Sequence, residues 1–131
     1  MKKLSLIILL FTFITAPAQV RFKQLSLAEA LKEASTTGKL VFAQYVTEQC
    51  EACNEVADKA FADVELGKFV EQKCIPIKIE VDSKDRLDFT KRFPTIYTMG
   101  TYFILGNGDL IHRFTKTISK PSAYSDEINA A

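Results

Sequence analysis

Two cysteines three residues apart, Cys50 and Cys53, are the side chains of this 131-residue chain best suited to chemistry. They follow an apolar run, residues 40–46, and open a segment whose helical spacing extends to about Phe61. Thiols at this spacing share one face of the first helical turn, where they can close a disulfide. The partial positive charge of a helix N-terminus also favours a thiolate over a thiol. The pattern therefore predicts a reversible two-electron switch between dithiol and disulfide.

Two other interpretations of the pair involve a structural role. Cys50 and Cys53 could form a purely structural disulfide, although so small a loop constrains few unfolded conformations. Together with Cys74 and His112 they would supply four zinc ligands by number, but the sequence has neither a second Cys-x-x-Cys motif nor a spaced histidine pair. We therefore expect no metal site. We expect Cys74 to be a small core residue and His112 to lie at the surface or edge of a hairpin.

The first eighteen residues have the pattern of a secretory signal peptide. A charged start, Lys2-Lys3, precedes an apolar run from residue 4 to 14, and Ala16-Pro17-Ala18 supplies the small residues of a cleavage site. A retained membrane anchor is the alternative, but the run is shorter than the ~20 residues that cross a bilayer. We expect residues 1–18 to be a signal peptide and residues 19–131 to form one domain with no stable membrane insertion after cleavage.

The charge of the predicted mature domain argues against several classes of partner. Of the 17 basic residues, Lys2 and Lys3 would leave with the signal peptide, so 15 basic side chains would face 16 acidic ones. A nearly neutral domain offers no electrostatic basis for binding nucleic acid or acidic membranes. Export would also place the cysteines in a compartment where disulfides form.

The elements around the cysteine pair alternate between strand and helix. Ser26 and Glu29 have the spacing of a capping box, and Gly38 is a typical end for the helix that follows. Pro121 begins a last helix. Strand patterns occupy residues 20–23, 40–46 and 75–81, and the two arms of a β-hairpin, 101–105 and 110–114, around a glycine-rich turn. The order predicts an α/β domain: a central mixed sheet with helices on both faces, and a C-terminal β-hairpin plus helix.

In this arrangement the chain resembles the thioredoxin-like superfamily, and most of all its exported bacterial branch. The resemblance is carried by residues 39–45, 50–53, 77–82 and 102–108, and it extends over roughly residues 20 to 130. It implies a thiol–disulfide oxidoreductase, in which Cys50 attacks a substrate disulfide and Cys53 resolves the mixed disulfide by closing the Cys50–Cys53 bond. The branch favours reductase-like exchange.

The resemblance also implies the setting of that activity. It implies no cofactor beyond the dithiol itself, protein disulfides or dithiols as substrates, and a membrane or periplasmic redox partner. The expected location is periplasmic or secreted, within a bacterial envelope. The substrate groove implied by the family lies at the following residues: Gln49, Glu51, Ala52, Gly100 and Thr101.

Three positions depart from the family pattern. Gln49 stands where the family often has tryptophan, and Gln44 stands where many reductases have a buried aspartate that accepts a proton. Gly100 stands where the family has a cis-proline, although Pro94, followed by Thr95, is a second candidate for that place. These departures favour an alternative function, a redox-idle thioredoxin-like binding module that holds a client or partner protein in the groove.

Overall fold

A computed structural model describes residues 19–47, 50–80, 83–95 and 99–131. The predicted signal peptide, residues 1–18, and the predicted groove residue Gln49 lie outside the described residues. In chain order the elements are α1 (Leu27–Thr37), β1 (Leu40–Val46), α2 (Glu51–Phe61), α3 (Val64–Lys73), β2 (Cys74–Glu80), α4 (Asp85–Arg92), β3 (Gly100–Ile104), β4 (Leu110–Phe114) and α5 (Pro121–Ala130). Within the described ranges, no helix combines the length and the apolar character needed to cross a membrane.

The four strands form one mixed sheet in the order β2-β1-β3-β4. β1 lies in the interior of the sheet, parallel to β2 and antiparallel to β3, and β3 pairs with β4 as an antiparallel hairpin. Five of the seven residues of β1 are buried, as expected for a strand covered on both faces. The predicted fold class, a mixed sheet with a C-terminal hairpin and helix, is confirmed.

Helices cover both faces of this sheet. Because successive side chains of a strand point to opposite faces, β1 contributes to two separate core clusters. Val41, Ala43 and Tyr45 of β1 pack in a core cluster with α1 and α4. Phe42 packs in a second cluster with α2, α3 and α5, where its ring contacts those of Phe61, Phe103 and Tyr124, among others. The second cluster lies under the helix that begins with the cysteine pair.

The predicted ends of α1 are confirmed. The Ser26 side chain accepts a hydrogen bond from the Glu29 amide at 3.2 Å, and the Glu29 carboxylate accepts one from the Ser26 amide at 2.8 Å. These two hydrogen bonds satisfy amides that the first turn of a helix leaves without partners. Gly38 ends the helix with a φ of 70°, a left-handed conformation that glycine adopts without steric cost.

The predicted edge strand at residues 20–23 is wrong. The segment makes a single isolated bridge, between Lys23 and Ile77 of β2. The Val20 amide instead donates to the carbonyl of Phe61, at the end of α2, while the Lys23 amide donates to the carbonyl of Pro76. Because its two ends bond to different elements, the segment does not extend a ladder along β2.

Candidate functional site

Cys50 and Cys53 form a disulfide, with their Cα atoms 5.3 Å apart. Cys50 is the N-cap residue of α2, and Cys53 lies within the first turn of that helix. Both residues are half-buried. The disulfide is therefore anchored in regular structure and still partly open to solvent, the condition that an exchange reaction with a large partner requires.

The cysteine pair lies just beyond the C-terminal end of β1, at the edge of the sheet that the strand ends form. β1 carries the chain to this edge at Val46, and α2 then runs back across the face of the sheet. The first hydrogen bond of α2 joins the Asn54 amide to the Cys50 carbonyl at 3.1 Å. The Asn54 side chain makes a second connection, because its Nδ2 donates to the Thr47 carbonyl at 2.8 Å, just beyond the end of β1.

The start of α2 favours negative charge at the position of Cys50. The Cys50 side chain makes no capping hydrogen bond, so the first-turn amides receive no side-chain acceptor from the N-cap residue. A thiolate at this place would lie where capping oxygens normally accept, at the positive end of the helix dipole. Glu51 and Ala52, two predicted groove residues, are both exposed in this turn. The exposed carboxylate of Glu51 opposes a thiolate only weakly, because solvent screens it.

A buried polar pair lies on the same face of the sheet as α2. The Thr101 hydroxyl donates to Gln44 Oε1 at 2.6 Å, and the two residues are only 2% and 3% exposed. By strand alternation, Gln44 shares the face of Phe42 and lies nearer the edge where α2 begins. A neutral amide does not titrate, so Gln44 contributes a hydrogen bond but no proton transfer. Thr101, a predicted groove residue, thus has its hydroxyl bonded within the core.

Gly100 and Pro94, the two candidates for the cis-proline position of the family, lie in different parts of the fold. Gly100 pairs with Tyr45, so it lies on the strand next to β1 and at the edge where β1 ends. A Cβ atom on Gly100 would lie 2.5 Å from the carbonyl oxygen of Phe114 in β4, so the close approach of two backbones explains the glycine. Pro94 is exposed beyond α4, and its carbonyl accepts a hydrogen bond from Arg113 of β4 at 3.1 Å.

Comparison of the sequence with protein-family models gives no match, and no curated protein matches it by sequence. Solved structures do match. They include a candidate disulphide isomerase from Bacteroides thetaiotaomicron, with 21% identity and a TM-score of 0.71 over 85% of this chain and 92% of that one. A thioredoxin from Thermus thermophilus matches with 17% identity and a TM-score of 0.70 over 86% of each chain. The C-terminal domain of DsbD from Neisseria meningitidis, in the oxidised form, matches with 15% identity and a TM-score of 0.63 over 82% of this chain and 98% of that domain.

The chain has a thioredoxin-like fold. The superposition extends over more than four fifths of the chain in each of these three comparisons, as the resemblance of the sequence predicted. At identities of 15–21% the likeness concerns the fold, and the chemistry of the site depends on its own residues.

Within this thioredoxin-like sheet, Cys74 and His112 lie away from the disulfide. Cys74 pairs with Leu40, at the end of β1 opposite the disulfide. Leu40 is six residues from Val46, and six residues of strand span roughly 20 Å. Burial raises the pKa of the Cys74 thiol to about 12. His112 is exposed on β4, with Nδ1 3.7 Å from a Glu127 carboxylate oxygen. Among the residues described, no group of three or more His, Cys, Asp or Glu side chains is arranged to hold a metal ion.

Asn54 is the residue of the site that the sequence analysis missed. Its side chain joins the disulfide turn to the end of β1, and its Oδ1 atom is buried. The signal available in the sequence was the position itself: a polar residue directly after the second cysteine of a helix-initiating Cys-x-x-Cys motif.

Proposed function

We propose that this protein is a thiol–disulfide oxidoreductase that exchanges its Cys50–Cys53 disulfide with protein substrates. One observation carries the proposal: a disulfide at the first turn of α2, half-buried and at the edge of the sheet where β1 ends. A disulfide that closes a four-residue loop stabilises a fold by only about 2 kcal/mol in the chain-entropy model, so a purely structural role is a weak explanation for it.

The proposed exchange conserves atoms and electrons. In the reduced protein, the Cys50 thiolate attacks one sulfur of a substrate disulfide, a mixed disulfide forms, and the other substrate sulfur leaves as a thiolate that takes up a proton. Cys53 loses its proton and attacks the Cys50 sulfur, which closes the Cys50–Cys53 bond and releases the second substrate thiol. The protein's dithiol gives up two electrons and two protons, and the substrate disulfide gains them.

The environment of each sulfur supports this division of roles. Cys50 occupies the N-cap position, where the helix dipole lowers the free energy of a thiolate. Cys53 must lose a proton in the second step, and Gln44 cannot take it up. Because the pair is partly exposed, we propose that this proton passes to solvent or to the departing substrate thiolate.

We further propose that the protein acts outside the cytoplasm, in the periplasm or after secretion, once residues 1–18 have been removed. The pattern of those residues supports export, and disulfide exchange suits an oxidising compartment. A reductase there needs an electron donor, so we propose a membrane or periplasmic redox partner. Similarity of fold to a DsbD domain and to a candidate disulphide isomerase is compatible with such a protein-to-protein exchange.

The test is catalysis of insulin reduction by dithiothreitol. We expect the purified protein to accelerate the reaction and Cys50→Ser to abolish the acceleration, because no thiolate remains to attack. Cys74→Ser is the matched control, since Cys74 is buried at the other end of β1, and it should retain full activity. Activity that is lost only in Cys74→Ser, or that is retained in both variants, would contradict the assignment of Cys50.

A binding module with an idle dithiol is the second candidate. It is favoured by Gln44, which cannot exchange protons, and by Gly100, which the sequence resemblance assigns to the place where the family has a proline. The two candidates differ in glutathione buffers: an oxidoreductase cycles between dithiol and disulfide with a measurable midpoint, whereas an idle pair does not respond. A pair that stays oxidised across the whole glutathione range, in a protein inactive on insulin, would favour the module.

A further inference from the structure

Asn54 is held on one side and left without a partner on the other. Its Nδ2 donates to the Thr47 carbonyl at 2.8 Å, a bond that spans Cys50 and ties the first turn of α2 to the end of β1. Its Oδ1 is buried and accepts no hydrogen bond. Within the described parts of the chain, it is the one buried side-chain nitrogen or oxygen in that condition. The unpaired oxygen lies in the same helical turn as the disulfide.

A buried acceptor without a donor is costly. Leaving such a group unpaired destabilises a fold, and native proteins hold few of them. The disulfide cannot relieve this cost, because neither of its sulfurs carries a hydrogen. After reduction the Cys53 sulfur, which stays protonated until the second step of the proposed exchange, carries one, and a thiol is a weak hydrogen-bond donor. Reduction therefore adds a donor in the turn where the acceptor is unpaired.

We propose that Asn54 is a positioning residue that favours the reduced form of the Cys50–Cys53 pair. Its Nδ2 bond to Thr47 holds the turn in both redox forms, and its Oδ1 accepts a hydrogen bond from a thiol only after reduction. In that reduction the disulfide takes two electrons and two protons from an external dithiol, which becomes a disulfide. The inference rests on the proposed function only in requiring that the pair cycles.

A purely structural role for Asn54 would have a different thermodynamic consequence. If its contacts were the same in both forms, removing them would destabilise the oxidised and the reduced protein equally, and the equilibrium between the forms would not change. A hydrogen bond made only by the reduced form does change that equilibrium. The redox midpoint therefore separates the two roles, whereas loss of stability alone does not.

The experiment is equilibration of the full protein in glutathione buffers, with the dithiol fraction measured by trapping the thiols. We expect Asn54→Ala to lower the equilibrium constant for reduction by about fivefold, the worth of one net hydrogen bond. That change corresponds to about 20 mV for a two-electron couple. Asn129→Ala, an exposed asparagine on α5, is the matched control and should leave the constant unchanged. An unchanged or increased constant in Asn54→Ala would overturn the inference.

A second measurement needs no variant and covers the case in which Asn54→Ala does not fold. In the wild-type protein, NMR reports the Asn54 side-chain amide in both redox forms. We expect the Nδ2 hydrogens to be protected in both forms and the carbonyl carbon to shift downfield on reduction, as its oxygen gains a hydrogen bond. No such shift would refute the inference. A wild-type pair that fails to equilibrate with glutathione would instead refute the proposed function.

Discussion

Replacing Gly100 by alanine tests the close approach of β3 and β4 at the edge where the disulfide lies. The added Cβ would lie 2.5 Å from the carbonyl oxygen of Phe114 and 3.4 Å from the Tyr102 ring. The first contact is with backbone, so no side-chain rotation can relieve it. Either the two strands separate locally or the pairing of Gly100 with Tyr45 is distorted.

The expected loss of stability in Gly100→Ala depends on how firmly β4 is held in place. A contact of ~3.0 Å is the least that a Cβ tolerates, so the strands must separate by about 0.5 Å. Phe114 cannot follow freely, because its ring packs edge-on against Phe103 at 5.5 Å and Tyr124 at 5.6 Å. Inserting one methyl group into so tight a site costs about 1–3 kcal/mol. For a domain of this size, that loss lowers the melting temperature by about 4–12 °C.

The assay is urea unfolding of the oxidised protein, followed by circular dichroism, with the melting temperature measured in parallel. Gly100→Pro should lose at least as much stability as Gly100→Ala, because proline carries the same Cβ atom. Gly38→Ala is the control: it has no atom within 4 Å of its Cβ, and its left-handed backbone alone should cost about 1 kcal/mol. A Gly100→Ala variant within about 0.5 kcal/mol of wild type would refute the close approach, since surface substitutions without such contacts fall in that range.

Three further predictions concern buried or capping groups. Gln44→Leu should cost about 1–3 kcal/mol in urea unfolding by removing the Gln44 oxygen that accepts from the Thr101 hydroxyl, and adding Thr101→Val should recover part of that loss; no recovery would contradict the pairing. Cys74 should resist iodoacetamide in the folded protein, and stability should fall between about pH 9 and 12, where only the unfolded chain ionises this thiol; Cys74→Ala should reduce that fall. Hydrogen bonds from the Ser26 amide and hydroxyl lower the pKa of Glu29, so this carboxylate should stabilise the fold above its ordinary pKa and lose that effect as the pH falls through the lowered pKa. Wild type and Glu29→Gln should therefore converge in stability at acid pH, and a difference that stays constant with pH would argue against the capping bond.

The sequence by itself was sufficient for the order of most elements and for the motif. Helical and strand spacing are short-range patterns, so α1 with its capping box, the buried strand β1 and the final hairpin were all predictable. The absence of a strand at residues 20–23 was not predictable. The residues alternate as in a strand, but their backbone hydrogen-bond partners lie in two different elements, α2 and β2. The place of Cys50 and Cys53 at the start of a helix was likewise a local inference.

Only the tertiary structure decided what surrounds the disulfide. The bond between Thr101 and Gln44 joins residues 57 positions apart, and the glycine at position 100 is explained by a carbonyl oxygen of the next strand. The unpaired oxygen of Asn54 depends on how α2 packs against the end of β1. A sequence pattern records which side of an element is apolar, but contacts like these depend on strand register and on the separation of backbones, which are set only when distant segments pack together.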